Sequence, residues 1–300
     1  MTHTRCIFCK QNSSSSTSRE HIIPESLGNI EHVLPPGVVC DKCNNYFARK
    51  IEKPLLDSDS FRYQRFENLI QNKRKRIPNA QAFHLESSSI LEIQTTANGL
   101  NIFLNEDDIF GFLDSTKDMR KGHLYIPHIT ANQDEYTLSR FICKAALEYL
   151  ASLSLLAMEF SEEPSVLDVD IIDNEGLDPI RKYVRYGHSS KKVWPFHERR
   201  IYPADALFLS EEDGQYYDLP HEFSLLYSKK KDLFFVLAIF GVEYVIDMAN
   251  QSNEAYLEWL DKNEYKSPLY MDGDIKIAAR RGICGLNEGS ILGVWTKPKK

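Results

Sequence analysis

The spacing of hydrophobic side chains divides this chain into segments of different character. Ile90 to Thr96 alternates apolar and polar positions, Asn98-Gly99 follows, and Leu100 to Leu104 resumes the pattern. This predicts a β-hairpin, because Asn and Gly tolerate the positive φ that a two-residue turn requires. Leu138, Phe141, Ile142, Ala145 and Tyr149 recur every three or four residues, which predicts an amphipathic helix over about 137–156, packed on the hairpin's sheet. Asp178-Pro179 opens and Gly187 closes a shorter helix, the expected asymmetry of helix ends. Phe234 to Phe240 and Val242 to Asp247 are nearly continuous apolar runs and read as core strands, and Asn253 to Leu260 reads as another helix. Strands and helices mix without regular alternation, so residues 81–300 form an α+β domain.

The first eighty residues read differently. Ile7-Phe8 lies between two cysteines, Ser13 to Ser18 is a low-complexity run expected to be a flexible loop, and Glu20-His21-Ile22-Ile23 leads to Pro24. Val38-Val39 is a short β-branched run, taken as a second strand. Asn44 to Glu52 has helical character, with Tyr46, Phe47, Lys50 and Ile51 giving one apolar and one basic face before Pro54. Residues 1–57 thus run knuckle, strand, loop, strand, helix. Residues 58–80 form a basic helical linker, in which Phe61, Arg62, Arg65, Phe66 and Leu69 precede Lys73-Arg74-Lys75-Arg76. That run is either a solvated helix end or a clamp on nucleic-acid phosphate.

Composition narrows the classes. With 300 residues and 42% hydrophobic content, the chain can bury a substantial core and is long enough for two domains. A net charge of −7 excludes a protein that coats nucleic acid along its whole surface, yet leaves room for a local basic groove, including Arg49 and Lys50. The polar N-terminus lacks a signal peptide, and the longest apolar run, Leu233 to Ile246, is broken by Gly241 and Glu243. The expectation is a soluble, cytoplasmic protein without a membrane partner, where thiols stay reduced. Cys143 and Cys284 are isolated and expected to be buried free thiols. No G-x-x-x-x-G-K-[ST] run is present, which argues against ATP hydrolysis.

The candidate chemistry lies near the N-terminus. Cys6-x-x-Cys9 and Cys40-x-x-Cys43 enclose Glu20-His21-Ile22-Ile23-Pro24, and Asn44-Asn45 follows the second pair. A Cys-x-x-Cys turn sets two thiolates about 3.5–4 Å apart, near the edge of a tetrahedron of Zn–S bonds roughly 2.3 Å long. Two such turns make a closed, structural zinc site. Hydrolysis of a phosphodiester needs an activated water, a charge sink on the phosphate and stabilisation of the departing oxygen. His21 has the intrinsic pKa of a base near pH 7. Glu20 offers a hard oxygen ligand, and Asn44 or Asn45 a neutral one, a sparse set suited to Mg²⁺. Neighbours on a strand face opposite sides, so Glu20 and His21 can address one phosphate only where the strand ends or bulges.

These residues resemble the HNH endonuclease family, with its ββα-metal fold, and within it the zinc-stapled branch. The matching pieces are Cys6-Ile-Phe-Cys9, Ser18-Arg-Glu-His-Ile-Ile-Pro-Glu-Ser-Leu-Gly-Asn29 and Val38-Val-Cys-Asp-Lys-Cys-Asn-Asn-Tyr-Phe47, about the first fifth of the chain. The resemblance implies that His21 is the general base, Glu20 the acidic metal ligand and Asn44 the helix-borne ligand. Asn45 would be a helper or alternative, with Cys6, Cys9, Cys40 and Cys43 on structural zinc. It departs from the family in three places. Glu stands for the commoner Asp, the second strand lacks its middle Asn or His, for which Asn29 or His32 could substitute, and the third position is Asn, favouring Mg²⁺ or Mn²⁺.

The leading reading is a metal-dependent endonuclease acting on DNA. The resemblance adds a context of bacterial defence against phage or plasmid DNA, under control of the C-terminal domain. The alternative is a non-catalytic zinc module that binds nucleic acid or protein. A third reading has a nucleotide or partner protein acting through the C-terminal domain, and a homo-oligomer carrying two sites would account for double-strand breaks. Arg181, Lys182, Arg185, Lys191, Lys192, Arg199 and Arg200, interleaved with Tyr183, Tyr186, Trp194 and Phe196, form a second basic and aromatic cluster. It reads more readily as a solvated face over core aromatics than as a stacking surface.

Overall fold

The computed structural model describes residues 5–270 and 277–279, apart from 30, 73, 97–98, 118–122, 127–133, 161–170, 203–205, 210–215, 218–220 and 228–231. In chain order the N-terminal elements are β1 (Glu20–His21), β2 (Val33–Leu34), α1 (Asp41–Phe47), α2 (Lys53–Asp57) and α3 (Asp59–Glu67). The hairpin region follows with β3 (Ala80–His84), β4 (Ser89–Thr96), β5 (Gly99–Leu104), α4 (Ile109–Thr116) and β6 (Leu124–Tyr125). Next come α5 (Glu135–Phe160), α6 (Asp178–Tyr186), β7 (His197–Arg200), β8 (Ala206–Leu209) and β9 (Tyr216–Tyr217). The chain continues through β10 (His221–Tyr227), β11 (Leu233–Ile239), β12 (Val242–Asp247), α7 (Glu254–Lys262) and β13 (Ile277–Ala279). The chain is α+β, with strands in four sheets ordered β1-β2, β5-β4-β3-β6, β10-β11-β12-β7 and β13-β8-β9. It packs as two compact units, one of Met1–Ile22, Leu34–Asn44 and Ser139–Lys300, the other of Ile23–Val33 and Asn45–Leu138.

In the second unit the hairpin forms as the alternation requires. β4 and β5 pair antiparallel from Leu91↔Leu104 to Thr96↔Gly99, so Gly99, at φ 124°, already belongs to β5 rather than to the turn, and Asn98 lies outside the described residues. Ala80, Ala82, Leu91 and Ile93 point to one side and bury against Phe66 of α3. That helix ends at Glu67, so the basic run does not continue it. Lys73 lies outside the described residues. Arg74, Lys75 and Arg76 are exposed in a turn closed by Asn72, whose Oδ1 accepts from the backbone N–H of Arg74 (2.8 Å) and of Arg76 (3.1 Å).

In the first unit α5 is longer than the periodicity indicates and starts with a cap, the Asp134 carboxylate accepting from Thr137 N at 3.0 Å. It packs on a different sheet from the one expected. The Tyr149 ring stands 4.6 Å from Phe223 of β10 and 5.9 Å from Phe235 of β11. It is also buried on more than its apolar stripe: Ser139, Arg140, Lys144 and Glu148 are enclosed as well. Enclosed polar groups need partners. Ser139 Oγ donates to Trp194 O (2.9 Å) and Arg140 Nη2 to Val184 O (2.6 Å).

β11 is apolar throughout and β12 is buried along its whole length, because both faces are covered. Phe234, Val236 and Val245 meet Tyr256 and Leu260 of α7 on one face, and each such side chain contributes about 1.5–3 kcal/mol. The turn between the strands places Phe240 at φ 48° and Gly241 at φ 80°. A Cβ at Gly241 would lie 2.5 Å from the Tyr202 carbonyl oxygen, a backbone atom that cannot swing aside. Gly241→Ala is therefore expected to destabilise the protein by roughly 1–3 kcal/mol or more, and an unchanged thermal midpoint would refute this account of the turn. Glu243 and Asp247 are the charged residues of β12. Glu243 accepts from Arg199 Nε (2.5 Å) and Tyr256 OH (2.8 Å), and its other oxygen accepts from Ser267 Oγ.

Candidate active site

The knuckle begins with Cys6 to Cys9, where Lys10 N donates to Cys6 O at 2.8 Å and Lys10 takes a φ of 59°. The second pair straddles the start of α1. Sulfur atoms of Cys6, Cys9, Cys40 and Cys43 lie within 4.8 Å of one another, and Cys9 and Cys40 are 3.7 Å apart, close to a tetrahedral zinc edge. A hydrogen bond from the Cys43 thiol holds Cys6 down to about 5, burial pushes Cys9 up to about 11, and the bond to Cys6 with burial raises Cys43 as well. Four thiolates cannot ionise together in this space without a cation. The donor set fits a closed zinc site, with all four cysteines as ligands.

The loop before β1 is not the flexible run its composition suggests. Ser13 Oγ donates to Gly37 O (2.5 Å), and Ser16 N to Ser13 O (2.9 Å). Asp41, at the first turn of α1, accepts from Ser18 N (3.0 Å), Ser18 Oγ (2.5 Å) and Thr17 N (3.2 Å). The Ser18 bonds hold its carboxyl below the usual carboxylate range. Local hydrogen bonding by serine thus orders the chain into β1. The second strand also differs from expectation. It is Val33–Leu34, whereas Val38 and Val39 lie in a bend after Pro35-Pro36-Gly37, with Gly37 at φ 94°. Both valines are buried, and Val38 O accepts from Ile7 N at 2.9 Å, so their apolar character serves the knuckle rather than a ladder.

β1 consists of Glu20 and His21 alone, and Ile22-Ile23 bends away, so the strand ends at His21. Glu20 points inward and is 4% exposed; His21 is half-buried. Asn44, half-buried on α1, donates from Nδ2 to Arg19 O at 3.0 Å. That bond joins the helix to the residue preceding β1 and leaves Oδ1 as the amide's acceptor group. Asn45 is exposed on the same helix, as are Arg49 and Lys50 in the following π-helical turn, Ala48–Glu52.

Within the other unit, Asn29 fastens the loop that leads to β2. Its Nδ2 donates to Ile23 O (2.7 Å) and His32 O (3.0 Å), while Oδ1 accepts from the backbone N–H of Glu31 (3.1 Å) and His32 (3.0 Å). Asn29 is buried and His32 exposed, so of the two substitutes for the missing middle residue, Asn29 does the bracing.

Residues 6–60 match the family model described as HNH endonuclease. The match spans both cysteine pairs, Glu20-His21 and Asn44-Asn45, and ends within α3. No curated protein and no solved structure matches the chain. An HNH endonuclease domain implies a nucleic-acid substrate. Among the described residues no helix is long and apolar enough to cross a membrane.

Residues outside the HNH segment hold it in ways the sequence did not announce. Arg181 is buried on α6, donating from Nε to Ile7 O (2.8 Å) inside the knuckle and from Nη1 to Asp178 (2.7 Å). Arg5–Asp173 (3.0 Å) and Lys10–Asp178 (2.7 Å) add two ion pairs. Tyr183 and Trp194 are buried and Arg199 is bound to Glu243. Much of the second basic and aromatic cluster is therefore structural. Most consequential is Lys144 of α5, whose Nζ lies 2.6 Å from Oε1 of Glu20. Cys143, beside it, is buried, and burial raises its thiol well above the ordinary value; Cys284 lies outside the described residues.

Proposed function

We propose that this chain is a metal-dependent endonuclease that hydrolyses DNA phosphodiester bonds, with His21 as general base. The observation that carries the reading is the bond from Asn44 Nδ2 to Arg19 O, within the Cys₄ frame. It sets a helix-borne amide beside the strand that holds Glu20 and His21. His21 takes the proton from the attacking water, and Asn44 Oδ1 with the carboxylate of Glu20 would hold a Mg²⁺ or Mn²⁺ ion. A divalent ion at this place supplies the charge sink on the phosphate and steadies the departing oxygen. Zinc at the cysteines is structural. Incubating the purified protein with supercoiled plasmid, with and without Mg²⁺, tests the reading. Conversion to nicked or linear DNA only with the metal supports it, and intact plasmid with both Mg²⁺ and Mn²⁺ defeats it.

The remaining C-terminal region is read as the part that controls when or where cutting occurs, in a bacterial defence effector against phage or plasmid DNA. Asn45 is assigned as the lesser neighbour of Asn44. Arg49, Lys50 and the basic turn are assigned to phosphate contact. Replacing Lys73, Arg74, Lys75 and Arg76 by alanine is expected to weaken DNA binding and flatten its salt dependence, by up to about 0.9 in the log–log slope per lost contact. Cleavage at saturating DNA should change far less. An unchanged slope would assign the run to solubility alone.

One observation favours a second reading, a zinc module without catalysis. Glu20 is buried and bound to Lys144, as an ordinary structural ion pair would be. The plasmid experiment separates the two.

A further inference from the structure

We infer that Lys144, far from the HNH segment in sequence, is a positioning residue of the nuclease site. This rests on the nuclease reading above and deepens it. Lys144 is fully buried. An ammonium shut away from water must give its three protons to acceptors. Three are in place: Oε1 of Glu20 at 2.6 Å, Oε2 of Glu148 at 2.9 Å and the backbone carbonyl oxygen of His21 at 3.3 Å. Two of these belong to the consecutive residues assigned to ion binding and to base catalysis.

The arrangement says which group serves which. Glu148 stands one turn further along α5, is equally buried, and on its own would neutralise Lys144 within the helix. Contact with Glu20 is therefore not needed to balance the lysine's charge. What gains from it is Glu20, a carboxylate 4% exposed whose direction is fixed through Oε1. The bond to His21 O fixes the backbone just where β1 ends, and with it the base from which the imidazole projects. All three ammonium protons being used, Lys144 does not touch substrate; it acts by holding Glu20 and His21. Partners of metal ligands that act this way are worth about 10–100-fold in activity or metal affinity, in keeping with the cost of a small misplacement of reacting groups. The HNH segment then depends on α5 for activity.

Lys144→Met keeps the side chain's volume and removes its charge. In full-length protein with about one zinc per chain and a cooperative melt, kcat for plasmid cleavage should fall by about 10–100-fold. DNA affinity should hold, and Mn²⁺ binding, followed by the electron paramagnetic resonance of free Mn²⁺, should not weaken, since a positive charge has left the side of Glu20. A residue that merely stabilises the fold would lower every readout together with the folded fraction. Lys144→Arg, which keeps the charge, should recover part of kcat. Should Lys144→Met fail to fold, Lys144→Met/Glu148→Met removes one charge of each sign from the same site and serves in its place. Wild-type kcat in either folded variant overturns the proposal alone, with the nuclease reading intact. Wild-type protein inactive with both Mg²⁺ and Mn²⁺ overturns the nuclease reading and this proposal with it.

Discussion

Replacing His21 by alanine is expected to suppress plasmid cleavage by about 10²–10⁴-fold, the usual contribution of a general base, while folding and DNA affinity stay close to wild type. The geometry gives the reason for the second half of that statement. Lys144 holds His21 by its backbone carbonyl, which alanine retains. What is lost is an imidazole, half-buried at the end of a two-residue strand. Rates with Mg²⁺, zinc content and the melting curve of the same preparation check the claim, and full cleavage by a folded His21→Ala protein would exclude the mechanism. Asn44→Ala should behave differently and raise the metal concentration needed, since it deletes both the candidate ligand oxygen and the bond to Arg19 O. Asn45→Ala, on an exposed position, should be the milder change. The reverse order would move the ligand assignment by one residue.

Cys40→Ser is expected to release the zinc and to disorder the knuckle and the start of α1. The magnitudes decide this. A structural zinc site in finger peptides is worth about 10–16 kcal/mol at pH 7. The ion pairs that also tie the knuckle down, Arg5–Asp173 and Lys10–Asp178, are solvent-screened and add little. The buried bond from Arg181 to Ile7 O adds roughly 1.5–3 kcal/mol, as hydrogen bonds from charged groups do. These cannot replace the metal. Hydrogen exchange should accelerate through residues 5–22 and 34–44, while β10, β11 and β12, whose cluster with α7 lacks any cysteine, keep their protection. Metal analysis that finds no zinc in folded wild-type protein would end the argument.

Both expectations were accessible from the sequence because the constellations are local. Four cysteines in two Cys-x-x-Cys turns, a Glu-His pair and an Asn after the last cysteine are recognised by type and spacing, and the sulfurs do converge. The hairpin at β4–β5, α6 with its Gly187 end, the paired runs β11 and β12, and α7 were legible for a similar reason. Backbone periodicity and turn chemistry act over a few residues, and the structure follows them.

Other features were settled only when distant segments met. The polar composition of Ser13 to Ser18 suggests a loose loop, yet Asp41 and Gly37, more than twenty residues on, supply the acceptors that order it. Val38-Val39 has the residues of a strand, but what buries it is the knuckle, so it bends rather than pairs. Lys144 is the plainest case. Arg140, Lys144 and Glu148 recur every four residues along α5, as a solvent-facing stripe would. The sequence determined that this segment is a helix and that Glu20 is acidic. That the two meet, with a buried ammonium shared between Glu20, Glu148 and the carbonyl of His21, was decided by tertiary packing alone, since charge stripes on a helix look the same whether water or a carboxylate more than a hundred residues away neutralises them.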